Sequence, residues 1–356
     1  MIGAILGDIV GSRFEWHNTK RKDFEWLTKA SRFTDDSVMT VAIASAIMKA
    51  KESGADLGEV AVKEMQKFGC AHFDAGYGGH FCEWLGDPDP QPYNSWGNGA
   101  AMRVSAVGWA AETEEEVREM SAAVTEVTHN HPEGLKGAEA TAMCVFLARK
   151  GKSKDEIKKY VEENYYKLDF TLDQIRPTYE FDVSCQGTVP QAIVAFLEAD
   201  SYEDAIRNAV SIGGDSDTLA AIAGGIAEAF FGMTDEQIAS AKSRLPPDLL
   251  EVVERFEIIK KGKVMNTSEK NCTATSDADV GKLTEVWVLI DEDVSEMETS
   301  RTVYADRDKA KAEMEKLVER YARLNKVSPD EIERDDDNHA RVGKDWLSLL
   351  KYPVHY

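Results

Sequence analysis

The sequence is poor in positive charge. It has 42 Lys and Arg residues against 64 Asp and Glu residues, which gives a formal net charge of -22. A nucleic-acid groove needs a basic surface that displaces counterions from phosphates, so this composition argues against nucleic acid as a partner. A phosphorylated small molecule stays compatible, because backbone amides and a bound cation hold phosphates without any basic surface.

Cysteine is scarce and long apolar runs are missing. The five cysteines are odd in number and show no C-x-x-C spacing, which argues against a disulfide framework and against structural zinc. The apolar stretch 1–10 lacks a basic flank and contains Asp8, so we expect no signal peptide. No run approaches the ~20 apolar residues of a membrane helix. We therefore expect a cytoplasmic protein without membrane contact.

Helical spacing of apolar residues is plentiful, whereas alternating β-branched stretches are few between residues 58 and 231. This pattern predicts an all-α main domain over residues 1–265. A polar, Ser- and Thr-rich stretch then predicts a linker over 266–280. Beyond it, expected strands at 283–290 and 300–305 and a charged helix at 306–324 predict a small α+β appendage over 281–356. Nothing in the sequence indicates the role of this appendage or the oligomeric state.

The first helix is expected at the centre of the core. Gly3, Gly7 and Gly11 recur at every fourth position and therefore share one helical face. A face without side chains lets another backbone approach closely. We expect a tightly packed helix here rather than a phosphate-binding loop.

Two carboxylates and a hydroxyl stand at the start of a long apolar run. Asp215, Asp217 and Thr218 precede residues 219–231, which predict a buried helix. Capping of the helix start explains one Asp. Three hard oxygen ligands also suit Mg2+, Mn2+ or Ca2+ rather than zinc. This stretch alone leaves capping and metal binding both open.

The same arrangement occurs earlier in the chain. Thr34, Asp35 and Asp36 precede residues 38–49, which have helical periodicity. If the two helix starts face each other, their four carboxylates would repel one another unless cations lie between them. The repetition favours a site for two divalent cations over capping alone.

Two further stretches have both a functional and a structural interpretation. Small residues flank Asn98 in the segment 97–103, which fits either an anion-binding nest at a helix start or a plain turn. His129 and His131 are two positions apart with no acidic or Cys partner nearby, so zinc is not indicated. His129 fits a neutral hydrogen-bonding group in a pocket or a structural cap.

Five motifs, in this order, resemble the ADP-ribosylglycohydrolase family: GDIVGSRFE at 7–15, FTDDS at 33–37, GNGAAMR at 97–103, TH at 128–129 and GGDSDT at 213–218. The resemblance covers about the first 260 residues and leaves out the tail. It implies an all-α fold with two Mg2+ (or Mn2+) ions in a central cleft. The implied metal ligands are Thr34, Asp35, Asp36, Asp215, Asp217 and Thr218.

The resemblance also implies the roles of the remaining motif residues. Glu15 matches an acidic residue proposed to take part in catalysis, and we expect it to act together with Asp36 and Asp217. Whether Glu15 acts as an acid or as a base is left open. The implied substrate-binding residues are Gly97, Asn98, Gly99, Ala100, Met102 and His129.

The expected activity is hydrolysis of the glycosidic bond between ADP-ribose and an acceptor, which is a protein side chain or a small molecule. The loops that recognise the acceptor differ among family members, so the linkage is not predicted. Two alternatives stay open at this point. One is a non-catalytic ADP-ribose-binding or crystallin-like protein, and the other is a metal-free glycosidase that uses two carboxylates.

Overall fold

The computed structural model describes residues 1–270 and five strands at 285–293, 298–304, 333–336, 339–342 and 345–353. The chain divides into two compact units, Met1–Cys272 and Thr273–Tyr356.

The first unit is helical, which confirms the predicted all-α main domain. Besides a short 3-10 helix at Ser12–Phe14, its described elements are α1 Ile2–Gly11, α2 Asp35–Ser53, α3 Leu57–Ala71, α4 Gly79–Gly86, α5 Gly99–Met102, α6 Ser105–Ala110, α7 Glu114–Thr125, α8 Pro132–Arg149, α9 Lys154–Asn164, α10 Leu172–Ile175, α11 Cys185–Leu197, α12 Tyr202–Ser211, α13 Ser216–Phe231, α14 Asp235–Lys242 and α15 Pro247–Lys270.

Helices α1 and α13 form the centre of this unit, and all ten residues of α1 are buried. The glycine face of α1 lies directly on α13. A Cβ atom added at Gly7 would overlap with the carbonyl group of Ala220, and one added at Gly11 would lie 2.5 Å from the carbonyl oxygen of Ser216. The expected close backbone approach is therefore confirmed, and it fixes where α13 begins relative to α1.

The other helices surround this pair. Helices α8, α11 and α12 pack against α13, while α3 and α15 pack against α2. The apolar side of α15 supplies the buried residues Leu249, Val252, Val253 and Phe256. Helix α15 continues to Lys270, so residues 266–270 of the stretch expected to be a linker are helical.

The described part of the second unit is an antiparallel sheet. Its strands are β1 Glu285–Asp293, β2 Glu298–Tyr304, β3 Glu333–Asp336, β4 His339–Val342 and β5 Asp345–Pro353, in the spatial order β2-β1-β5-β4-β3. Trp287 is paired with Tyr304 in β2 and with Lys351 in β5. The two expected strands overlap β1 and β2, whereas the helix expected at 306–324 lies outside the described residues.

Candidate metal centre and active site

The starts of α2 and α13 meet at one cavity. The Thr218 hydroxyl donates a hydrogen bond of 3.2 Å to Oδ2 of Asp36, across 182 residues of sequence. Asp36, Asp217 and Thr218 are almost completely buried. The two acidic helix starts therefore face each other, as the sequence pattern led us to expect.

The two starts are capped differently. Thr34 is the N-cap of α2, and its hydroxyl accepts a 3.4 Å hydrogen bond from the Asp36 amide. Asp215 is the N-cap residue of α13 but makes no capping hydrogen bond with its side chain. Its Oδ2 instead accepts a hydrogen bond of 2.7 Å from the side-chain amide of Asn98. Capping therefore accounts for Thr34, whereas the carboxylate of Asp215 is oriented by Asn98.

The carboxylate of Asp8 in α1 binds the start of α2. It accepts hydrogen bonds from the Thr34 amide (2.9 Å) and the Thr34 hydroxyl (2.7 Å). It also accepts from the amide and the hydroxyl of Ser37. Asp8 is completely buried in the apolar helix α1. These hydrogen bonds link α1 to α2 and fix the orientation of the first turn of α2, which carries Asp35 and Asp36.

Glu15 joins the cluster from the segment that follows α1. Glu15, Asp215 and Asp217 each present a carboxylate oxygen, and these three atoms lie within 4.8 Å of one another. Asp35 and Asp36 line the same cavity. Thr34 is directed towards Asp8 and does not line the cavity, so its expected role as a metal ligand is the one that this geometry favours least.

Burial and mutual repulsion raise the pKa values of the cluster. Burial raises the pKa of Asp8 to about 6. Burial, followed by the charges of Asp8 and Asp215, raises the pKa of Asp35 to about 8. The half-buried Glu15 has a pKa raised to about 7 by desolvation and by the charges of Asp215 and Asp8. The pKa values of Asp36 and Asp217 are raised well above their usual range by the same causes.

This donor set fits hard divalent cations. Oδ1 of Asp36 is buried and has no hydrogen-bond partner in the described part of the chain. A buried carboxylate oxygen without a donor is costly, and a cation satisfies it. Several carboxylates and one hydroxyl are oxygen ligands of the kind that Mg2+ and Mn2+ prefer. A neighbouring cation would also lower the raised pKa values, because it favours the ionised forms.

The carboxylates lie at the bottom of a cavity of about 510 Å³. Aromatic residues form much of its wall, and Trp16 and Phe181 stack at its edge with ring centroids 5.2 Å apart. The residues lining it are Glu15, Trp16, Asp35, Asp36, Met39, Gly76, Tyr77, Gly78, Gly79, His80, Phe81, Tyr93, Ser95, Gly97, Asn98, Gly99, Met102, Arg103, His129, Phe181, Val183, Asp215, Asp217 and Thr218.

The segment before and within α5 forms one side of this cavity. Gly97, Asn98, Gly99 and Met102 line it, whereas Ala100 is completely buried and does not. The Gly97 amide donates to the Ser95 hydroxyl, and the Asn98 amide donates to the carbonyl oxygen of Val183 at 2.7 Å. These amides are engaged within the protein, so this part of the structure fits a turn better than an anion nest.

His129 faces the same side of the cavity. Its Nε2 would lie 3.4 Å from a Cβ atom placed at Gly99, so the missing side chain leaves room beside the ring. Its Nδ1 is 2.7 Å from the Thr128 hydroxyl oxygen. The same hydroxyl oxygen accepts a hydrogen bond of 2.7 Å from the buried Arg103 guanidinium. Burial and the Arg103 charge hold the pKa of His129 well below its usual range. His129 is therefore a neutral hydrogen-bonding group at the cavity.

Three contributions to the site go beyond the expectations from the sequence. Asp8 lies in the first motif, but its hydrogen bonds to the start of α2 were not predicted, although a single carboxylate in an apolar helix signals a buried partner. Asn98 lines the cavity as a predicted substrate-binding residue, and its side-chain amide also donates a hydrogen bond to Asp215. The loop around Tyr77 lines the cavity, and its Gly, His and aromatic composition was the available signal.

None of the helices in the described ranges is long and apolar enough to cross a membrane.

Comparisons with known proteins show which family the chain resembles. The family model for ADP-ribosylglycohydrolase matches residues 1–276. The chain is 28% identical over 307 residues to the ADP-ribosylhydrolase ARH3 of Homo sapiens, covering 65% of this chain and 84% of that protein. It is 24% identical over 341 residues to ARH3 of Gallus gallus, covering 73% and 89%.

A solved structure described as an ADP-ribosylglycohydrolase-related protein complex has the same fold. The TM-score is 0.51 with 20% sequence identity, and the match covers 75% of this chain and 96% of that chain. The family match spans both acidic helix starts, Glu15 and His129. The chain belongs to the ADP-ribosylglycohydrolase family.

Proposed function

We propose that this protein hydrolyses the glycosidic bond that links ADP-ribose to an acceptor, in a reaction that depends on two divalent cations, Mg2+ or Mn2+. Water adds to C1 of the distal ribose, the bond from C1 to the acceptor breaks, and the acceptor leaves with a proton. The products are ADP-ribose and the free acceptor. The observation that carries this proposal is the meeting of two acidic helix starts with Glu15 in one cavity.

The cations would be held by oxygen atoms of both helix starts. Asp35 and Asp36 supply ligands from α2, and Asp215, Asp217 and Thr218 supply them from α13. Thr34 would contribute through its bond to Asp8, which orients α2. Bound there, the cations would fix ribose hydroxyls and lower the pKa of a water molecule.

Glu15 is the residue that we assign to proton transfer. Its carboxyl group is half-buried, and burial and nearby carboxylates raise its pKa to about 7. A carboxyl group held beside the proposed cations could accept a proton from a water molecule or give one to the departing acceptor. Asp36 and Asp217 assist by placing negative charge near C1, where positive charge grows as the bond breaks.

The rest of the cavity would bind ADP-ribose. Gly97 and Gly99 leave space beside His129, whose neutral ring can exchange a hydrogen bond with a ligand without introducing charge. Met102 contributes an apolar surface. The cavity has room for a ligand of nucleotide size, because binding sites for such ligands measure about 300–1,000 Å³.

We propose that the protein works in the cytoplasm, on an ADP-ribosylated protein or small molecule. The cysteines whose side chains are described, Cys70, Cys82, Cys144 and Cys185, are free, which suits a reducing compartment. The aromatic pair Trp16 and Phe181 stands at the cavity edge, where an acceptor would leave.

The proposal is tested with purified protein and a panel of conjugates in which ADP-ribose is attached to arginine, to serine or to a small molecule. We expect release of ADP-ribose from at least one conjugate, its loss in EDTA, and a large fall of its rate to a measurable residue in Glu15→Gln. Asp248→Asn is a suitable control, because Asp248 pairs with His72 on the surface away from the cavity. Tight binding of ADP-ribose without turnover of any conjugate would contradict the proposal and identify a binding protein instead.

A further inference from the structure

The segment that carries Glu15 is attached to the helix start that carries Asp215 and Asp217, and the attachment depends on one side chain. Asn18 donates from Nδ2 to the Gly214 carbonyl oxygen at 2.8 Å. The Gly214 amide donates back to Oδ1 of Asn18, also at 2.8 Å. The Asn18 amide thus pairs with both backbone groups of one residue, as neighbouring strands do.

The same side chain also holds the backbone around Glu15. Nδ2 of Asn18 donates to the carbonyl oxygens of Phe14 at 2.6 Å and of Glu15 at 3.1 Å. One amide group therefore contacts Glu15 on one side and the residue directly before Asp215 on the other. The two segments are 196 residues apart in sequence.

The backbone conformation of Gly214 permits this contact. Its φ of +76° lies in the left-handed region, and a Cβ atom there would overlap with the Tyr179 ring. The backbone of Gly214 thus faces Asn18 on one side and packs against the Tyr179 ring on the other. Asn18 is exposed and lies outside the cavity lining, so neither a core role nor substrate contact explains why its amide contacts four backbone groups.

We propose that Asn18 is a positioning residue for Glu15, an inference that rests on the proposed function. By joining the Glu15 segment to Gly214, it holds the Glu15 carboxylate beside Asp215 and Asp217. Asparagine suits this role because one planar amide both donates and accepts. Carboxylates that transfer protons need placement to within a fraction of an ångström, so loss of the contact affects turnover more than binding.

Other contacts keep the remainder of the segment in place. Lys20 donates to the carbonyl oxygens of Tyr179 and Ile212. Arg207 donates to those of Lys22 and Phe24 at 2.7 and 2.8 Å. We therefore expect that replacement of Asn18 releases the stretch around Glu15 while the rest of the protein stays folded.

The test compares Asn18→Ala with Asn164→Ala in the full chain. Asn164 likewise donates from Nδ2 to a backbone carbonyl, that of Tyr160 at 2.8 Å, at the end of α9 and outside the cavity. We expect Asn18→Ala to lower kcat by on the order of tenfold to a hundredfold with KM changed less than about threefold. We expect Asn164→Ala to leave both constants unchanged.

A double variant shows whether Asn18 acts through Glu15. In the Glu15→Gln background, adding Asn18→Ala should lower the residual rate less than about twofold, because residues that act as a unit are not additive. An equal loss in both backgrounds would overturn the proposal, as would a wild-type kcat in Asn18→Ala.

Amide hydrogen exchange provides a readout that does not depend on the reaction. Asn18→Ala should speed exchange at the Gly214 amide and in the peptide around Glu15 by about tenfold or more, while Asn164→Ala should not. Unchanged exchange would overturn the proposed contact even if the enzyme is active. If wild type cleaves no conjugate, the proposed function fails, and the exchange result still decides whether Asn18 holds the Glu15 segment.

Discussion

At the scale of single residues, the site consists of carboxylates held together against their own repulsion. Asp36 is paired with Thr218, Asp8 with Thr34 and Ser37, and Asp215 with Asn98. Each pairing fixes the direction of one carboxylate before any ligand binds. Such orienting partners normally tune the affinity of a metal site as much as the ligands do.

Asn98 allows a direct test of this view. Asn98→Ala removes the donor to Oδ2 of Asp215 without changing any carboxylate. We expect its affinity for Mg2+ to fall by about 10–100-fold, which is typical for loss of a hydrogen bond to a metal ligand. The measurement is the Mg2+ concentration at half-maximal thermal stabilisation.

Asn208→Ala is the matched control for this prediction. Asn208 is also a buried asparagine, and its side-chain amide donates a hydrogen bond of 3.1 Å to the Ala195 carbonyl oxygen. The control should lose stability but keep the wild-type Mg2+ dependence. If the Asn98 and Asn208 variants respond alike to Mg2+, Asn98 does not orient a metal ligand.

At the scale of elements, the site depends on how closely α1 lies against α13. The glycine face of α1 lets the two backbones touch, and this contact sets where Asp217 stands relative to Asp8. Gly11 lies beside the first turn of α13, where an added Cβ atom would be 2.6 Å from Cα of Asp217. The packing of two helices thus determines the geometry of the acidic cluster.

Gly7→Ala should destabilise the protein by about 3 kcal/mol or more, because the new methyl group meets the Ala220 carbonyl and neither backbone can yield cheaply. Urea unfolding of the two variants Gly7→Ala and Gly86→Ala measures this. Gly86 lies at the end of α4 with open space around it, so its substitution should be close to neutral. Equal stability of the two variants would contradict the packing account.

The elements themselves were largely predictable, and the contacts between them were not. Helical periodicity indicated α2 and α13, because an amphipathic or buried helix leaves a local pattern. The acidic and hydroxyl residues before each helix were visible as well, because they lie next to it in the sequence. Asn98 with Asp215 and Asn18 with Gly214 are contacts across 117 and 196 residues. No local pattern records which distant segment a side chain will meet.

At the scale of the whole molecule, the clustered carboxylates should make stability depend on pH. The pKa values of Glu15 and Asp35 are raised to about 7 and about 8 in the folded protein. A carboxyl group with a raised pKa binds more protons folded than unfolded, so stability is lost as pH rises through that value. The neutral His129 gives the opposite trend below about pH 6.5, so the test begins there.

In EDTA, we expect the free energy of unfolding to fall by roughly 1–3 kcal/mol more in wild type than in Asp35→Asn between about pH 6.5 and about pH 8.5. The comparison is needed because the buried N-terminal amine, whose pKa is lowered by burial, gives the opposite trend in both proteins. Mg2+ should reduce this loss, because it binds the ionised carboxylates. Asp35→Asn should flatten the slope in EDTA. Equal pH slopes of wild type and Asp35→Asn in EDTA, or greater Mg2+ stabilisation at the lower pH, would contradict this prediction.

The site residues all lie within the first compact unit, between Asp8 and Thr218. We propose that residues 1–265 are the catalytic domain and that residues 281–356 form a separate domain. A chain that ends after Cys272, and so keeps all of α15, should remain folded and retain at least about half of the full activity. Loss of activity in a shortened chain with unchanged circular dichroism would show that the second unit contributes to the reaction.

We propose that both acidic helix starts hold the cations on which hydrolysis depends. The rate of ADP-ribose release from a cleavable conjugate, measured against Mg2+ concentration for wild type and Asp217→Asn, tests this proposal. We expect wild-type activity to vanish in EDTA and return with Mg2+, and the variant to be slower by more than about a hundredfold, since loss of an orienting partner alone costs about 10–100-fold. Equal rates for the two proteins, or wild-type activity that persists in EDTA, would contradict the account.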